Sequence, residues 1–127
     1  MGMKKSKVRN VPDFKNVKDI VYNSVKQYPN HVAFTTKIGK GQYINHTFAN
    51  LLEDVNAFGT ALYDLGLKDK RVAVVGVNSY KWAVSHISNL LGGIVSVPLD
   101  KGLQLEELEE SLIRSEAEAV VFGEKLK

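Results

Sequence analysis

The clearest pattern in the chain lies between Arg71 and Asp100, where a short β-branched run, an amphipathic stretch and a second β-branched run follow one another. The first run is too short for a helix and hardly alternates with polar residues, so it predicts a strand covered on both faces. Asn78 or Ser79 can cap the helix that follows. Its apolar residues recur at helical spacing: Ala83, Val84, Ile87, Leu90 and Leu91. A Gly-Gly pair ends this helix before a second buried strand, so the segment predicts one right-handed β-α-β unit.

Similar patterns predict the elements on the N-terminal side of this unit. Asn16 begins a helix whose buried stripe is Val17, Ile20, Val21, Val25 and Tyr28. Residues 31–37 and 42–48 flank a glycine-containing turn and predict a β-hairpin. Thr47 can cap a long helix that ends at Gly66, where a left-handed residue is expected. One face of that helix is apolar: Phe48, Leu51, Leu52, Val55, Phe58, Leu62 and Leu65.

The elements that follow the β-α-β unit complete the predicted fold. Apolar residues at 105, 108, 112 and 113 predict another helix, and residues 119–122 predict a third core strand. The fold class is therefore α/β, with an open parallel sheet of three βα-connected strands plus an N-terminal helix and hairpin. So small a sheet leaves two edges open, which predicts either association through an edge or membership in a larger N-terminal domain.

Composition and charge narrow the classes of function. The 127 residues include no cysteine, which excludes disulfides, thiolate metal sites and cysteine nucleophiles. The net charge of +3 arises from basic residues crowded into the first nine positions, so we expect residues 1–15 to be a basic flexible tail and no nucleic acid to bind. Residues 16–127 then form a partial α/β domain. No apolar run is long enough to cross a bilayer, and a cytoplasmic location is expected.

Two loops are candidates for phosphate binding. The turn Gly76–Ser79 follows the carboxyl end of a parallel strand, where open sheets bind ligands and a helix N-terminus offers free amides. It lacks the known glycine motifs, so a simple helix cap is favoured. The segment Lys37–Gly41 is glycine-rich and basic, but it joins two strands, so a hairpin tip is favoured over a phosphate cradle.

The remaining candidate side chains give no catalytic assignment. His31, His46 and His86 lie on separate elements without ligand spacing, and the adjacent Ser85 does not make a catalytic pair with His86. Trp82 could line a ligand cavity, but a core or interface anchor is favoured. Four glutamates are expected on the solvated side of their helix: Glu106, Glu107, Glu109 and Glu110. No catalytic, cofactor-binding or metal residue is therefore assigned.

The sequence as a whole resembles the N-terminal portion of AMP-forming acyl-CoA synthetases, in the adenylate-forming superfamily. The similarity runs from about Val17 to Phe122 and includes HTF at 46–48, LYDLG at 62–66 and VPLD at 97–100. Asn78–Val84 makes long-chain fatty acid–CoA ligases the best match, although Phe48 stands where the family usually has tyrosine.

The resemblance implies a two-step reaction in a full-length enzyme, with ATP, Mg²⁺ and coenzyme A. A fatty acid carboxylate is adenylated with release of pyrophosphate, and the coenzyme A thiol then displaces AMP. The family's Ser/Thr/Gly-rich phosphate loop ending Pro-Lys-Gly is absent from residues 1–127, so no catalytic residue is carried over and the fragment is predicted to be inactive. Its partner would be the remainder of the same polypeptide, and the full-length enzyme could be peripheral to a membrane. The alternative is a free-standing α/β interaction module that pairs through its sheet edge. The isolated piece is expected to form a homodimer through that edge or by swapping elements.

Overall fold

The computed structural model describes residues 10–124, and the order of helices and strands within them is the predicted one. The tail predicted over residues 1–15 lies largely outside the described residues. No helix in the described part of the chain is both long enough and apolar enough to span a membrane. The elements are α1 (Val17–Gln27), β1 (Val32–Gly39), β2 (Gln42–Thr47), α2 (Phe48–Asp64), β3 (Arg71–Val75), α3 (Tyr80–Leu91), β4 (Val95–Leu99), α4 (Leu105–Ser115) and β5 (Ala119–Phe122).

The β-strands form two separate sheets. Strands β1 and β2 make an antiparallel hairpin, and the other three strands make a parallel sheet in the order β4-β3-β5. The chain therefore passes from β4 back across β3 to reach β5. Because both crossovers are expected to be right-handed, α3 and α4 lie on opposite faces of the parallel sheet.

The central strand β3 is the most buried part of the molecule. Residues 72–75 are at most 2% exposed, which confirms the prediction of a strand covered on both faces. The same prediction is wrong for β4 and β5. Val95 is 52% exposed and Phe122 is 57% exposed, because each of these strands lies at an edge with one neighbouring strand.

Two apolar clusters attach the helices to one face of the sheet. Val72 packs with Leu62 and Leu67, so α2 and the turn after it cover the start of β3. Val55 and Val84 belong to the second cluster, which joins α2 to α3. Burying these aliphatic side chains contributes roughly 1.5–3 kcal/mol each to folding. The two clusters therefore hold α2, α3 and β3 together as one unit.

The predicted helix starts and turns are confirmed by their hydrogen bonds and backbone angles. The side chains of Asn16, Thr47 and Ser79 each accept a hydrogen bond from the backbone amide three residues later. Gly66 has a φ of +76° at the end of α2, and Gly41 has a φ of +69° in the hairpin turn. Glycine suits both positions because other residues are strained at positive φ.

Several predicted buried positions are exposed. In α1, Val17, Ile20 and Tyr28, which caps its C-terminus, are between 41% and 48% exposed, and the helix has no buried residue. At the end of α2, Leu65 is 74% exposed. On α3, Leu90 is 39% exposed, while three polar residues of that helix are buried. The physical reason is that α1 packs only along one side, against α2 and α3, and that Leu65 lies just beyond the end of α2.

Candidate functional site

A large open cleft lies between the hairpin and the N-terminal half of α3, and we call it the β1–α3 cleft. It has a volume of about 830 Å³. Its walls are formed by β1, the loop before α3 and the first two turns of α3. The lining residues are Phe34, Thr35, Thr36, Lys37, Asn78, Ser79, Tyr80, Trp82, Ala83, His86 and Ile87.

Tyr80 joins the hairpin to the α/β unit at the base of the cleft. Its ring stacks on His46 with centroids 3.6 Å apart and meets Phe34 edge-to-face at 5.5 Å. Its hydroxyl donates a hydrogen bond to Asp54 Oδ2 at 2.6 Å. Burial raises the pKa of Tyr80 well above its ordinary range, and the hydrogen bond and negative charge of Asp54 raise it further. Tyr80 therefore stays protonated and serves as a structural clamp.

A polar network fixes the side chains at the opposite wall of the cleft. Trp82 stacks on His86 with ring centroids 5.1 Å apart. His86 Nδ1 lies 2.8 Å from Ser96 Oγ, which also accepts a hydrogen bond from Asn89 Nδ2 at 3.0 Å. Ser96 Oγ therefore links the side chain of His86 to that of Asn89.

Asn89 leaves one polar atom unsatisfied within this network. The residue is completely buried, and its Oδ1 has no hydrogen-bond partner among the described residues. Asn89 and Ser96 do not line the cleft, and they support its wall through His86, which does line it.

The two candidate phosphate loops have structural roles. In the turn Gly76–Ser79, the Ser79 hydroxyl accepts a hydrogen bond from the amide of Trp82 at 3.1 Å, which makes it the cap of α3, as favoured from the sequence. Lys37–Gly41 forms the end of β1 and the hairpin tip, also as favoured. Only Lys37 of that segment lines the cleft.

The histidines and Ser85, which were weighed as candidates, each contact a different partner. His31 stacks on Tyr28, His46 lies on Tyr80, and His86 bonds to Ser96. No group of three or more metal-ligating side chains occurs within residues 10–124. The Ser85 hydroxyl donates a hydrogen bond to the backbone carbonyl of Lys81. The four α4 glutamates are exposed, as expected: Glu106, Glu107, Glu109 and Glu110.

Trp82 is half-buried and lines the cleft, which is the alternative that the sequence left open, and its role as an interface anchor stays a prediction. Two contacts in this region were not predicted. The bond from Tyr80 to Asp54 and the bond from His86 to Ser96 join different elements. The sequence offered one signal for the polar contacts around Ser96. Asn89 lies beside apolar positions of α3, and a buried amide requires a polar partner.

Several polar groups that line the cleft have hydrogen-bond partners within the domain. Lys37, Tyr80 and His86 are its titratable residues, and no carboxylate lines it. Tyr80 donates to Asp54, Ser79 caps α3, and the Thr35 hydroxyl donates to Asn45.

The architecture is that of an N-terminal subdomain of an adenylate-forming enzyme. The N-terminal subdomain of Klebsiella oxytoca NpsA superposes with a TM-score of 0.77 and 20% identity, over 87% of this chain and 28% of that chain. The chain belongs to the family of AMP-binding enzymes, whose family model matches residues 21–127.

The similar curated proteins are acyl-CoA ligases. The medium-chain acyl-CoA ligase ACSF2, mitochondrial, of Bos taurus is 34% identical over 85 residues, which cover 66% of this chain and 14% of that protein. Long chain acyl-CoA synthetase 4 of Arabidopsis thaliana is 30% identical over 112 residues, covering 84% of this chain and 17% of that protein. The chain therefore spans about one seventh of the length of the curated relatives it matches.

Proposed function

We infer that the chain is the N-terminal part of an AMP-forming fatty acid–CoA ligase. The observation that carries this proposal is the family match over residues 21–127, supported by relatives that are named acyl-CoA ligases. The complete ligase would activate a fatty acid carboxylate with ATP and then transfer the acyl group to coenzyme A. ATP, Mg²⁺ and coenzyme A would bind to parts of the ligase outside residues 1–127.

In that ligase, the segment acts as a scaffold. The polar side chains of the cleft walls form hydrogen bonds and stacks within the domain, which fixes the loop between β3 and α3. The exposed apolar residues of β4 and β5 are a surface against which the remainder of the same polypeptide would pack. The isolated chain is expected to be inactive because it supplies no groups to position or stabilise a transferring phosphoryl group.

A fatty acid of long chain length is the proposed substrate. The sequence of residues 78–84 and the similarity to the Arabidopsis long-chain synthetase support this choice. The similarity to medium-chain ligases supports a shorter acyl chain, so the assay must compare the two lengths. The cytoplasmic location remains a prediction.

The test is an AMP-formation assay on two proteins: residues 1–127 alone and the product of the whole reading frame that contains them. Each is incubated with ATP, Mg²⁺, coenzyme A and either octanoate or palmitate. Reactions without a fatty acid are the controls. We expect AMP only from the whole product, with a higher kcat/KM for palmitate. Higher kcat/KM for octanoate would overturn the long-chain proposal alone, while AMP formation by residues 1–127 would overturn the scaffold role.

A further inference from the structure

A chain of polar contacts runs from the wall of the β1–α3 cleft into the interior, where it ends at an unpaired atom. His86, which lines the cleft, contacts Ser96 through Nδ1 and Oγ, which lie 2.8 Å apart. Asn89 Nδ2 donates to the same Oγ at 3.0 Å. Asn89 is completely buried, and its Oδ1 has no hydrogen-bond partner among residues 10–124. Buried polar atoms are normally paired, so this oxygen requires a physical explanation.

The hydrogen bonds of this chain can run in either of two directions. When Asn89 Nδ2 donates to Ser96 Oγ, the serine hydroxyl can donate onward to an unprotonated Nδ1 of His86. In the opposite direction, a protonated Nδ1 donates to Oγ, and the hydroxyl donates to Asn89 Oδ1 after the side-chain amide has turned over. The first direction leaves Oδ1 unpaired, and the second leaves Nδ2 unpaired. The unpaired Oδ1 of the structure is therefore the result of the first direction.

The charge of His86 determines which direction pairs more groups. Both ring nitrogens of a charged histidine are donors, so Nδ1 must then donate to Ser96 Oγ. If Asn89 kept its orientation, Oγ would accept two hydrogen bonds, and neither the serine hydrogen nor Oδ1 would have a partner within the chain of contacts. Turning the amide over pairs the hydroxyl with Oδ1 and leaves only Nδ2 unpaired. Because an unmade hydrogen bond in a buried site is costly, the charged state favours the reversed direction.

Helices α1 and α2 lie on the other side of α3 from His86. Val84 packs against α2, and the Ser88 hydroxyl donates to a backbone carbonyl of that helix. Ser88 also lines a small pocket with Tyr22 of α1. Residues two positions apart point to roughly opposite sides of a helix, so His86 faces away from the titratable residues of α1 and α2.

Few titratable groups lie on the side of α3 that carries His86. Strand β4 has none, and the single one on β3, Arg71, is paired with Glu116. Lys37 of β1 and Tyr80 are the other titratable residues that line the cleft, and no carboxylate lines it. A charged His86 therefore has no acid beside it in the cleft, and Ser96 is its hydrogen-bond partner among the described residues.

We propose that His86, Ser96 and Asn89 form a proton-sensitive switch, which reverses its hydrogen bonds when Nδ1 of His86 takes up a proton. The step adds one proton at Nδ1 and turns the buried amide over, and no covalent bond between heavy atoms changes. The charge acts on the cleft wall through Trp82, which stacks on His86 with ring centroids 5.1 Å apart, because a cation attracts the face of an indole ring. The switch lies within α3 and β4, so it depends neither on the ends of the chain nor on the proposed ligase function.

The first experiment follows these side chains in the 127-residue chain by NMR from about pH 8 to about pH 5, the range in which histidines take up a proton. Nitrogen-15 chemical shifts of the imidazole ring show which nitrogen carries the proton. We expect neutral His86 to carry it on Nε2, and the side-chain amide signals of Asn89 to move with the midpoint of His86 protonation. The proposal is overturned if neutral His86 carries the proton on Nδ1, if His86 stays neutral throughout, or if the Asn89 signals stay constant while His86 titrates.

Substitutions at Ser96 test whether its hydroxyl carries the coupling. Ser96→Thr keeps the hydroxyl, so the Asn89 signals should still follow the protonation of His86. Ser96→Ala removes it, so the Asn89 signals should become independent of pH while His86 still titrates. Coupling that survives Ser96→Ala would contradict the proposal. Circular dichroism at each pH checks the fold, and His86→Gln, which should also make the Asn89 signals independent of pH, tests the same link if Ser96→Ala does not fold.

The fluorescence of Trp82, the only tryptophan in the sequence, reports on the cleft end of the switch. A charged imidazole quenches an adjacent indole, so we expect the emission to fall in one step at the midpoint of His86 protonation. His86→Gln should abolish this step. His31→Gln is the matched control and should leave the step unchanged, because His31 stacks on Tyr28 and not on Trp82. A step that persists in His86→Gln would show that another group controls Trp82 and would overturn the proposed link to the cleft.

Discussion

Truncating Val72 to alanine should destabilise the domain far more than the same change at an exposed strand position. Val72 has no exposed surface and packs with Leu62, Leu67 and Ile94 in the cluster that attaches α2 to the sheet. Removing two buried methyl groups costs about 1.6 kcal/mol of transfer free energy. The cavity adds about 1 kcal/mol, because the surrounding side chains relax only in part. We therefore expect the free energy of unfolding to fall by about 2.5 kcal/mol.

Urea denaturation at low protein concentration measures this loss, and Val95→Ala is the matched control. Val95 lies on the neighbouring strand but is 52% exposed, so its truncation should cost less than about 1 kcal/mol. The denaturant slope should be the same for both variants, which shows that only stability has changed. The corresponding fall in Tm for Val72→Ala is about 10 °C. Similar losses for the two variants would refute the conclusion that β3 is the centre of the core.

Three further changes test local features of the fold. Tyr80→Phe should lower stability by about 1–2 kcal/mol at neutral pH by removing a hydrogen bond, and urea titrations from pH 7 to 11 measure it. Because the folded domain raises the pKa of Tyr80, above pH 10.0 the unfolded chain loses the hydroxyl proton before the folded protein does. The free energy of unfolding of the unchanged protein should therefore fall more steeply above pH 10.0 than that of Tyr80→Phe, and parallel slopes would contradict this. Ser79→Ala should cost about 0.5–2 kcal/mol by thermal denaturation and Asn78→Ala much less, since only Ser79 caps α3; equal costs would argue against the cap. Gly66→Ala should lower the Tm, because φ at Gly66 is +76°. Gly59→Ala should raise the Tm, because Gly59 lies inside α2 with open space around it. A change of the same sign in both variants would contradict this reasoning.

The sequence was sufficient to predict the elements whose signals are local. The β-branched run of β3, the caps at Asn16, Thr47 and Ser79, and the left-handed Gly66 all depend on residues close together in the chain. The family resemblance is confirmed by the match over residues 21–127, because the resembling segments follow one another in the family's order.

The strand order and the pattern of burial depend on contacts between distant residues. The order β4-β3-β5 arises because the second crossover returns over β3, and no local pattern distinguishes this path from a continued one. Ser88 and Asn89 are buried although they are polar: the Ser88 hydroxyl donates to backbone carbonyls at 2.7 and 3.0 Å, and Asn89 donates to Ser96. Phe122 is exposed because β5 lies at the edge of the sheet, which periodicity within the strand does not reveal.

The β1–α3 cleft is likewise formed by residues that are far apart in the sequence. Lys37 and Trp82 come together because the hairpin packs beside the first turns of α3, where Tyr80 contacts both His46 and Phe34. The sequence contains Tyr80, Phe34 and His46, but it does not reveal that Tyr80 contacts the other two. The cleft therefore could not be predicted from the sequence.

The measurement that tests the central claim most directly is the sequence of the source reading frame beyond codon 127. The account predicts several hundred further codons that encode a Ser/Thr/Gly-rich loop ending in Pro-Lys-Gly, because the curated relatives are about seven times longer than the matched segment. A stop codon directly after Lys127 would contradict the ligase function. The chain would then be a free-standing interaction module.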